Sequence, residues 1–515
     1  MRIARLLVAV VLAGAACSGD RAETADTSST TSTTVAETTT TGPADPLLVE
    51  TTLGPVRGVE SAVDGVRSFL AIPFAEPPVG ELAWRPPEPR TPWDERFDAT
   101  QAGPACPQSG GGASAGFLIT PDPDPDCLSL NIWAPEDADD LPVMVWIHGG
   151  GFETGSAHMP YYQGDDLAAE GLVVVSMNYR LGPFGFLATE ELARESSDGS
   201  VGNYGLLDQR LALEWVRANA AAFGGDAGNV TIFGESAGGF SVCGHLSGSR
   251  ELFERAIIQS GGGCDRLASR EEAFAAGQRY LEAVGCSDIA CLRAKTDDEL
   301  LAAGFGGGMV ADGVFLSEPA RDLAARGELD DVALLVGSNA DEATLFTLGR
   351  GEPADAELVD LAASVTDRPD ELLARAYPRD AFATNLDRYR ALFTDVVFAC
   401  PTLDLASLLP QAHVYHYTYV SAGNPFGLGA THGAEIASVF AHPEGIAVEI
   451  ERDEETDALS AAIQSAWASF ARSGDPGADF APYAEAGTVT LLDAPFEQVD
   501  DIRDGRCAVV DELRR

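Results

Sequence analysis

The segment Asn229 to Gly239 (NVTIFGESAGG) joins an apolar, β-prone run to a G-x-S-x-G turn and then to small residues that open a helix. A chain passes from strand to helix in so few residues only through a sharp, strained turn whose flanking positions lack bulk. Such a turn lifts the hydroxyl of Ser236 out at a helix N-terminus, where backbone N–H groups point at developing negative charge. Gly234-Glu235-Ser236-Ala237-Gly238 therefore constrains both the fold and the chemistry. A Gly-rich strand–helix turn is also an ordinary connection, so the rest of the chain has to supply the context.

That context is an alternation of buried strands and helices. Leu141 to Ile147 (LPVMVWI) reads as a strand ending at His148-Gly149-Gly150-Gly151-Phe152. Leu172 to Asn178, Ala256 to Gln259, Ala333 to Val336 and Val414 to Val420 read as further strands. Asn203 to Phe223 carries Leu207, Leu211 and Trp215 at steps of four, a helical period. Strands alternating with helices predict an α/β fold with a large, mostly parallel sheet covered on both faces. In such sheets the chemistry sits at the carboxyl ends of the strands.

The three glycines after His148 let a loop bring bare N–H groups close to a reacting carbonyl oxygen. Two of them, with the N–H of Ala237, would form an oxyanion hole, in which one donor stabilises the transition state by about 2.7–4 kcal/mol. A serine nucleophile needs a base, and the base an orienting carboxylate, in the chain order Ser, acid, His for this architecture. Of seven histidines, four follow Ser236 at a suitable distance: His413, His416, His432 and His442. The first two sit in or beside a strand, where packing is the simpler role. His442 precedes Pro443 in a polar turn, whereas His432 sits in a small-residue loop (GATHG) after that strand, from which a ring can reach Ser236. Asp341 and Glu342 both follow the strand Ala333 to Val336, and spacing alone does not choose between them.

The chain has 515 residues, with 33 basic and 80 acidic side chains and a formal charge of −47. Lys295 is its only lysine. So acidic a surface repels phosphate backbones and anionic headgroups, which argues against nucleic-acid binding. Residues 1–17 read as an export signal: Arg2 and Arg5, an apolar stretch from Leu6 to Ala16, then Cys17. Small residues directly before Cys17 resemble a bacterial lipobox, although Gly14 stands where Leu is usual. Lipidation at Cys17 and ordinary cleavage near Ala15 or Ala16 are the two readings, and both predict an exported protein. Residues 18–46 are Thr/Ser-rich and predict a disordered tether. Residues 47–515 read as one large domain. No second apolar run of about 18 residues predicts a transmembrane helix.

Together these stretches resemble the type-B carboxylesterase/lipase family, which includes the cholinesterases. The resemblance runs from about Gly54 to Asp511. It includes Asp126 to Trp133 (DCLSLNIW), the HGGGF loop, Asn178 to Gly182 (NYRLG), Phe223 to Asp226 (FGGD), GESAGG, Gln259-Ser260-Gly261, Gly337 to Phe346 and His432-Gly433. It implies an α/β-hydrolase fold with a large, mostly parallel, twisted central sheet flanked by helices. It implies Ser236, Glu342 and His432 as the catalytic residues, with Gly150, Gly151 and Ala237 as oxyanion donors. The implied activity is hydrolysis of small-molecule carboxylic esters through an acyl-enzyme, with no metal or organic cofactor. The open alternatives are an amidase, carbamate or polyester hydrolase on the same residues, or a non-catalytic adhesion-type relative. Nothing in the sequence fixes an oligomeric state, and contact with a membrane is expected only through a lipid on Cys17.

Nine cysteines leave eight once Cys17 is set aside. The resemblance implies Cys106–Cys127 and a bridge in the region of Cys286 and Cys291, which are also close enough to pair locally. Cys400 and Cys507 read as a distant pair. Cys243 and Cys264 remain, to be paired by elimination or left as two buried thiols. A zinc site is not expected, because the spacings are not paired C-x₂-C units. The loop between Cys106 and Cys127 contains Phe117 but no Trp, so cation–π capture of choline esters is not expected either. Esters of short to medium acyl chains are the expected substrates. Phe305 to Phe315 and the surroundings of Phe426 are candidates for the acyl pocket, with ordinary packing the equal alternative.

Overall fold

The computed structural model describes residues 45–514 apart from 109–119, 422–423, 425, 446–447 and 450–451. Residues 1–44, with the export signal, Cys17 and nearly all of the Thr/Ser-rich segment, lie outside the described residues, as does Phe117.

Among the described residues, eleven strands form the central sheet: β1 Val59–Glu60, β2 Val66–Pro73, β3 Ser129–Pro135, β4 Leu141–Ile147, β5 Val173–Met177, β6 Gly225–Glu235, β7 Arg255–Gln259, β8 Ala333–Asn339, β9 Ala412–Tyr417, β10 Val489–Leu492 and β11 Glu497–Val499. Their order across the sheet is β11-β10-β9-β8-β7-β6-β4-β5-β3-β2-β1. The strands from β10 to β5 in that order run parallel. The edges are antiparallel. Register aligns the strand ends: Ile147 lies opposite Gly234, Glu235 opposite Gln259, and Gln259 opposite Gly337. The loops that leave these residues therefore emerge side by side along one edge.

The near-continuous apolar strands follow from a sheet buried on both faces. Alternate residues of β4 point to opposite sides. Val143, Val145 and Ile147 enter one core with Val230, Ile232, Ile258 and Val336. Met144 and Trp146 enter the other with Phe233, Ile257 and Leu335. Helices α1 (Tyr204–Asn219), α2 (Ala237–Gly248), α3 (Asn385–Thr394), α4 (Cys400–Leu408), α5 (Glu454–Ser473) and α6 (Arg506–Leu513) supply most of the cover. Leu206 and Leu213 of α1 and Val242 and Leu246 of α2 pack on the first face. Ile463, Trp467 and Phe470 of α5 pack on the second.

Two local expectations are corrected. The buried side of α1 is Leu206, Gln209, Leu213 and Val216, and Leu207 and Leu211 of the expected stripe are only half-buried. The reason is polar: Asp208 and Gln209 face inward, where Asp208 takes Arg180 and Gln209 donates to Ser241 Oγ at 3.0 Å. Secondly, Asn385–Leu408 is long and apolar enough to cross a membrane by length and composition. It lies mostly inside the domain. A π-turn at Asp395–Ala399 divides it into α3 and α4. Asp395, fully buried there, binds Arg503 and, at 2.7 Å, Arg506, which fasten α6 to it.

Disulfides join Cys106–Cys127, Cys243–Cys264, Cys286–Cys291 and Cys400–Cys507. Cys243 and Cys264 are thus bonded rather than free, which ties α2 to the loop after β7.

The pair Arg180–Asp208 is buried (2% and 0% exposed). Arg180 donates through Nε at 2.8 Å and through a terminal nitrogen at 2.6 Å, and its backbone N–H donates at 3.0 Å. Asp208→Ala strands a buried guanidinium and is expected to cost about 3–5 kcal/mol of stability. Equilibrium urea unfolding checks this, and a loss below about 1 kcal/mol, the range of an exposed pair, contradicts it.

Candidate active site

β6 delivers the chain to Ser236, whose φ of 55° and ψ of −121° lie in a sparsely populated region, and α2 starts at the next residue. Holding a non-glycine residue there costs on the order of 1–3 kcal/mol, so the surroundings must over-determine it. They do so by contact. A Cβ on Gly238 would lie 1.9 Å from the Ile147 carbonyl oxygen, and one on Gly234 would lie 2.6 Å from Gly238. The Ser236 N–H donates to the Gln259 carbonyl at 2.9 Å, which pins the turn to the end of β7. The residues around Ser236 are buried, while Ser236 itself remains partly exposed.

The loop from His148 to Gly151 lies directly on this turn. A Cβ on Gly149 would meet Ser236 Cβ at 3.2 Å and a Glu235 carboxylate oxygen at 2.7 Å. Gly150 adopts φ 110° and Gly151 φ 66°. His148 anchors the start of the loop, stacked on Tyr179 at 4.4 Å, with the Tyr179 hydroxyl donating to the His148 carbonyl at 2.7 Å. Burial pulls His148 down to about 4, so its ring is neutral at pH 7. Among the described residues, the N–H groups of Gly150, Gly151 and Ala237 donate to no backbone acceptor. At Ala237, the first residue of α2, a helix has no acceptor to offer.

Glu342 comes from the turn after β8 and His432 from the loop after β9. Both are buried, and His432 Nδ1 donates to Glu342 Oε2 at 2.5 Å. Glu342 Oε1 accepts from Ser260 Oγ at 2.6 Å and from the Asn339 N–H at 2.8 Å. The neighbouring Asp341 has a different role. Its carboxylate accepts the Ala430 N–H at 3.0 Å, and its own N–H donates to the Ala430 carbonyl at 3.0 Å. Asp341 so fastens the acid turn to the histidine loop. A Cβ on Gly429 would meet the Asp341 carboxylate at 2.1 Å. His413 and His416 are buried in β9, with partners at Phe480 and Ser338. His442 is near the surface.

His432 Nε2 faces the Glu235 carboxylate at 3.1 Å, and no hydrogen bond from it to Ser236 is closed. Unliganded catalytic sites commonly have long contacts that tighten when substrate binds. Burial opposes a charge on His432, but the carboxylates of Glu235 and Glu342 outweigh it and push the imidazole up to about 9. Burial pushes Glu235 up to about 8 against the pull of His432. A third buried carboxylate, Glu435, is also raised by burial, and takes hydrogen bonds from Asn339 at 2.5 Å and Gln259 at 3.2 Å.

An aromatic wall that sequence reasoning missed stands beside the imidazole. Phe346 lies 4.8 Å and Phe398 5.0 Å from the His432 ring, with Phe393 against both. The π-turn carries Phe398, and neither it nor the wall has a local sequence signature beyond aromatic content. Of the candidate acyl-pocket residues, Phe305 packs on Tyr280, Phe315 lies against His245, and Phe426 is 53% exposed.

The carboxylesterase family model matches residues 45–509. The chain belongs to the carboxylesterase family. It is 35% identical to a para-nitrobenzyl esterase of Bacillus subtilis, over 86% of this chain and 94% of the relative. It is 37% identical to a fumonisin B1 esterase of Sphingopyxis macrogoltabida (84% and 83%) and 35% identical to a mouse cholinesterase (83% and 79%). A solved structure of a PNB esterase superposes with a TM-score of 0.82 at 32% identity, covering 90% of this chain and 99% of that one. The fold is the α/β-hydrolase fold, and the protein is a carboxylic ester hydrolase.

A base must be neutral to accept a proton; with His432 as the candidate base, carboxylates that raise its pKa would move the acid limb of the pH–rate profile upwards. Glu235→Gln removes one of them. The acid limb of kcat/KM on a neutral ester is expected to move to lower pH by about one unit or more. A stopped-rate profile from pH 5 to 10 checks this, and an unmoved limb contradicts it.

Proposed function

We propose that the protein hydrolyses carboxylic esters through an acyl-enzyme on Ser236, with His432 as base and Glu342 as its orienting carboxylate. His432 takes the Ser236 proton as the hydroxyl attacks the ester carbonyl. The N–H groups of Gly150, Gly151 and Ala237 receive the oxyanion. His432 then protonates the leaving alcohol, and water repeats the sequence on the acyl-enzyme. The observation that carries this reading is the His432–Glu342 bond behind a partly exposed serine, beside N–H groups that donate to no backbone acceptor among the described residues. Glu342, gripped by Ser260 and Asn339, fixes the imidazole with Nε2 turned towards the β6–α2 turn.

The aromatic wall of Phe346, Phe393 and Phe398 favours substrates with an apolar portion next to the scissile bond. Its closeness to His432 favours short to medium acyl chains. Turnover of p-nitrophenyl esters from acetate to palmitate is expected to peak at short chains. In Ser236→Ala it is expected to fall by about 10⁴-fold or more. A peak at long chains contradicts the short-to-medium-chain reading, and p-nitroanilides cleaved faster than the esters contradict the ester reading. Turnover that survives in Ser236→Ala contradicts the nucleophile.

We further propose that the protein is exported, with residues 1–17 as its signal, Cys17 lipidated and residues 18–46 as tether. Four disulfides support an oxidising destination. Cys17→Ala is expected to move the protein from the membrane fraction to the medium, read by immunoblot of both. An unchanged distribution contradicts the anchor.

A further inference from the structure

The parallel pairing of β8 with β9 runs up to Asn339 opposite Tyr417, and the Ala340 N–H still donates to the Tyr417 carbonyl at 3.0 Å. One residue later the partner changes, and Asp341 forms a parallel bridge with Thr431. The chain has left the sheet after β9 and returned to it just before His432. Closing such an excursion costs chain entropy, so bonds at the closing point have to offset it. They come largely from two residues that flank Glu342.

Asp341 takes both backbone groups of Ala430: its N–H donates to that carbonyl at 3.0 Å, and its Oδ2 accepts that N–H at 3.0 Å. Thr344 Oγ1 lies 2.7 Å from the Leu428 carbonyl oxygen and 2.8 Å from Thr431 Oγ1. Asn339 Nδ2 adds a bond to the Thr431 carbonyl at 2.8 Å. On the far side of His432, Glu435 is held by Asn339 and Gln259. Neither Asp341 nor Thr344 fills the core. Both are half-buried and, with Leu428 and Gly429, line a cavity of about 370 Å³ against α3. Truncating either side chain enlarges an existing cavity and leaves the packed interior intact.

We infer that Asp341 and Thr344 are positioning residues, which clamp residues 428–431 to the acid turn and so set where the His432 imidazole stands between Glu342 and Ser236. The assignment rests on the ester-hydrolase reading of those three residues. Glu342 is fixed separately, by Ser260 and Asn339. Releasing the clamp therefore moves the base and leaves the acid where it is. In that reaction His432 both takes the Ser236 proton and returns it to the leaving oxygen. A p-nitrophenolate departs without that proton, whereas an alkoxide needs it, so a displaced imidazole costs an alkyl ester more than a nitrophenyl ester.

The experiment compares kcat/KM for ethyl butyrate, by pH-stat, with kcat/KM for p-nitrophenyl butyrate, by absorbance. Both report transfer of the same acyl group to the protein. The ratio of nitrophenyl to ethyl ester is expected to rise about tenfold or more in Asp341→Ala, within the ~10²-fold that a 1 Å misplacement can cost. It rises in the same direction in Thr344→Val. Asp341→Asn keeps a ratio near the natural one, because its amide oxygen can still accept the Ala430 N–H. Unfolded chains lower both rates alike, so the ratio reads position and not the folded fraction. Thr344→Val, which keeps the shape of the side chain, carries the same reading where Asp341→Ala does not fold. A ratio unchanged in both variants overturns the assignment, as does an Asp341→Asn ratio that moves as far as that of Asp341→Ala. If the natural protein turns over neither ester, the ester-hydrolase reading fails first and the clamp's role falls with it.

Discussion

Two backbones meet where side chains have no room. The Ile147 carbonyl lies so close to Gly238 that any Cβ there would overlap it, and a Cβ on Gly149 would meet the Glu235 carbonyl at 2.8 Å and the Ser236 Cβ at 3.2 Å. This contact fixes the register between the strained turn at Ser236 and the glycine loop beside it. The strain at Ser236 is held by packing and by the bond to the Gln259 carbonyl, not by a side-chain cap. Alignment of the parallel strands then sets the remaining loops in place. Ser260 follows β7, Glu342 follows β8, and both reach the same edge as Ser236.

Behind that edge is a buried set of carboxylates. Glu342 is engaged by His432, Ser260 and Asn339, which fixes its position. Glu435 is braced by Asn339 and Gln259. Glu235 differs, since neither of its oxygens has a hydrogen-bond partner among the described residues, and one faces His432. Its proton affinity is thereby coupled to that of the His432 imidazole.

Much of this was legible in the sequence because it depends on local rules. Unbroken apolar runs mark doubly buried strands, and GESAG and HGGG mark positions where only small residues fit. The choice between Asp341 and Glu342 was not legible from spacing, because both lie in one turn and differ only in the direction each side chain takes. Asp341 turns to the histidine loop and Glu342 to the imidazole. The aromatic wall was hidden for another reason. Phe346 and Phe398 are 52 residues apart and meet only because the π-turn after α3 redirects the chain. The stripe on α1 misled because the buried side also takes polar Asp208 and Gln209, and of Leu207, Leu211 and Trp215 only Trp215 is buried.

The proposed chemistry depends first on Ser236 as the nucleophile. Reaction of the protein with diisopropyl phosphorofluoridate, followed by intact mass and peptide mapping, tests it directly. One phosphoryl group per chain, located on Ser236 and appearing in step with loss of esterase activity, is the predicted result. Full inactivation with Ser236 unmodified, or full activity with Ser236 modified, would contradict it.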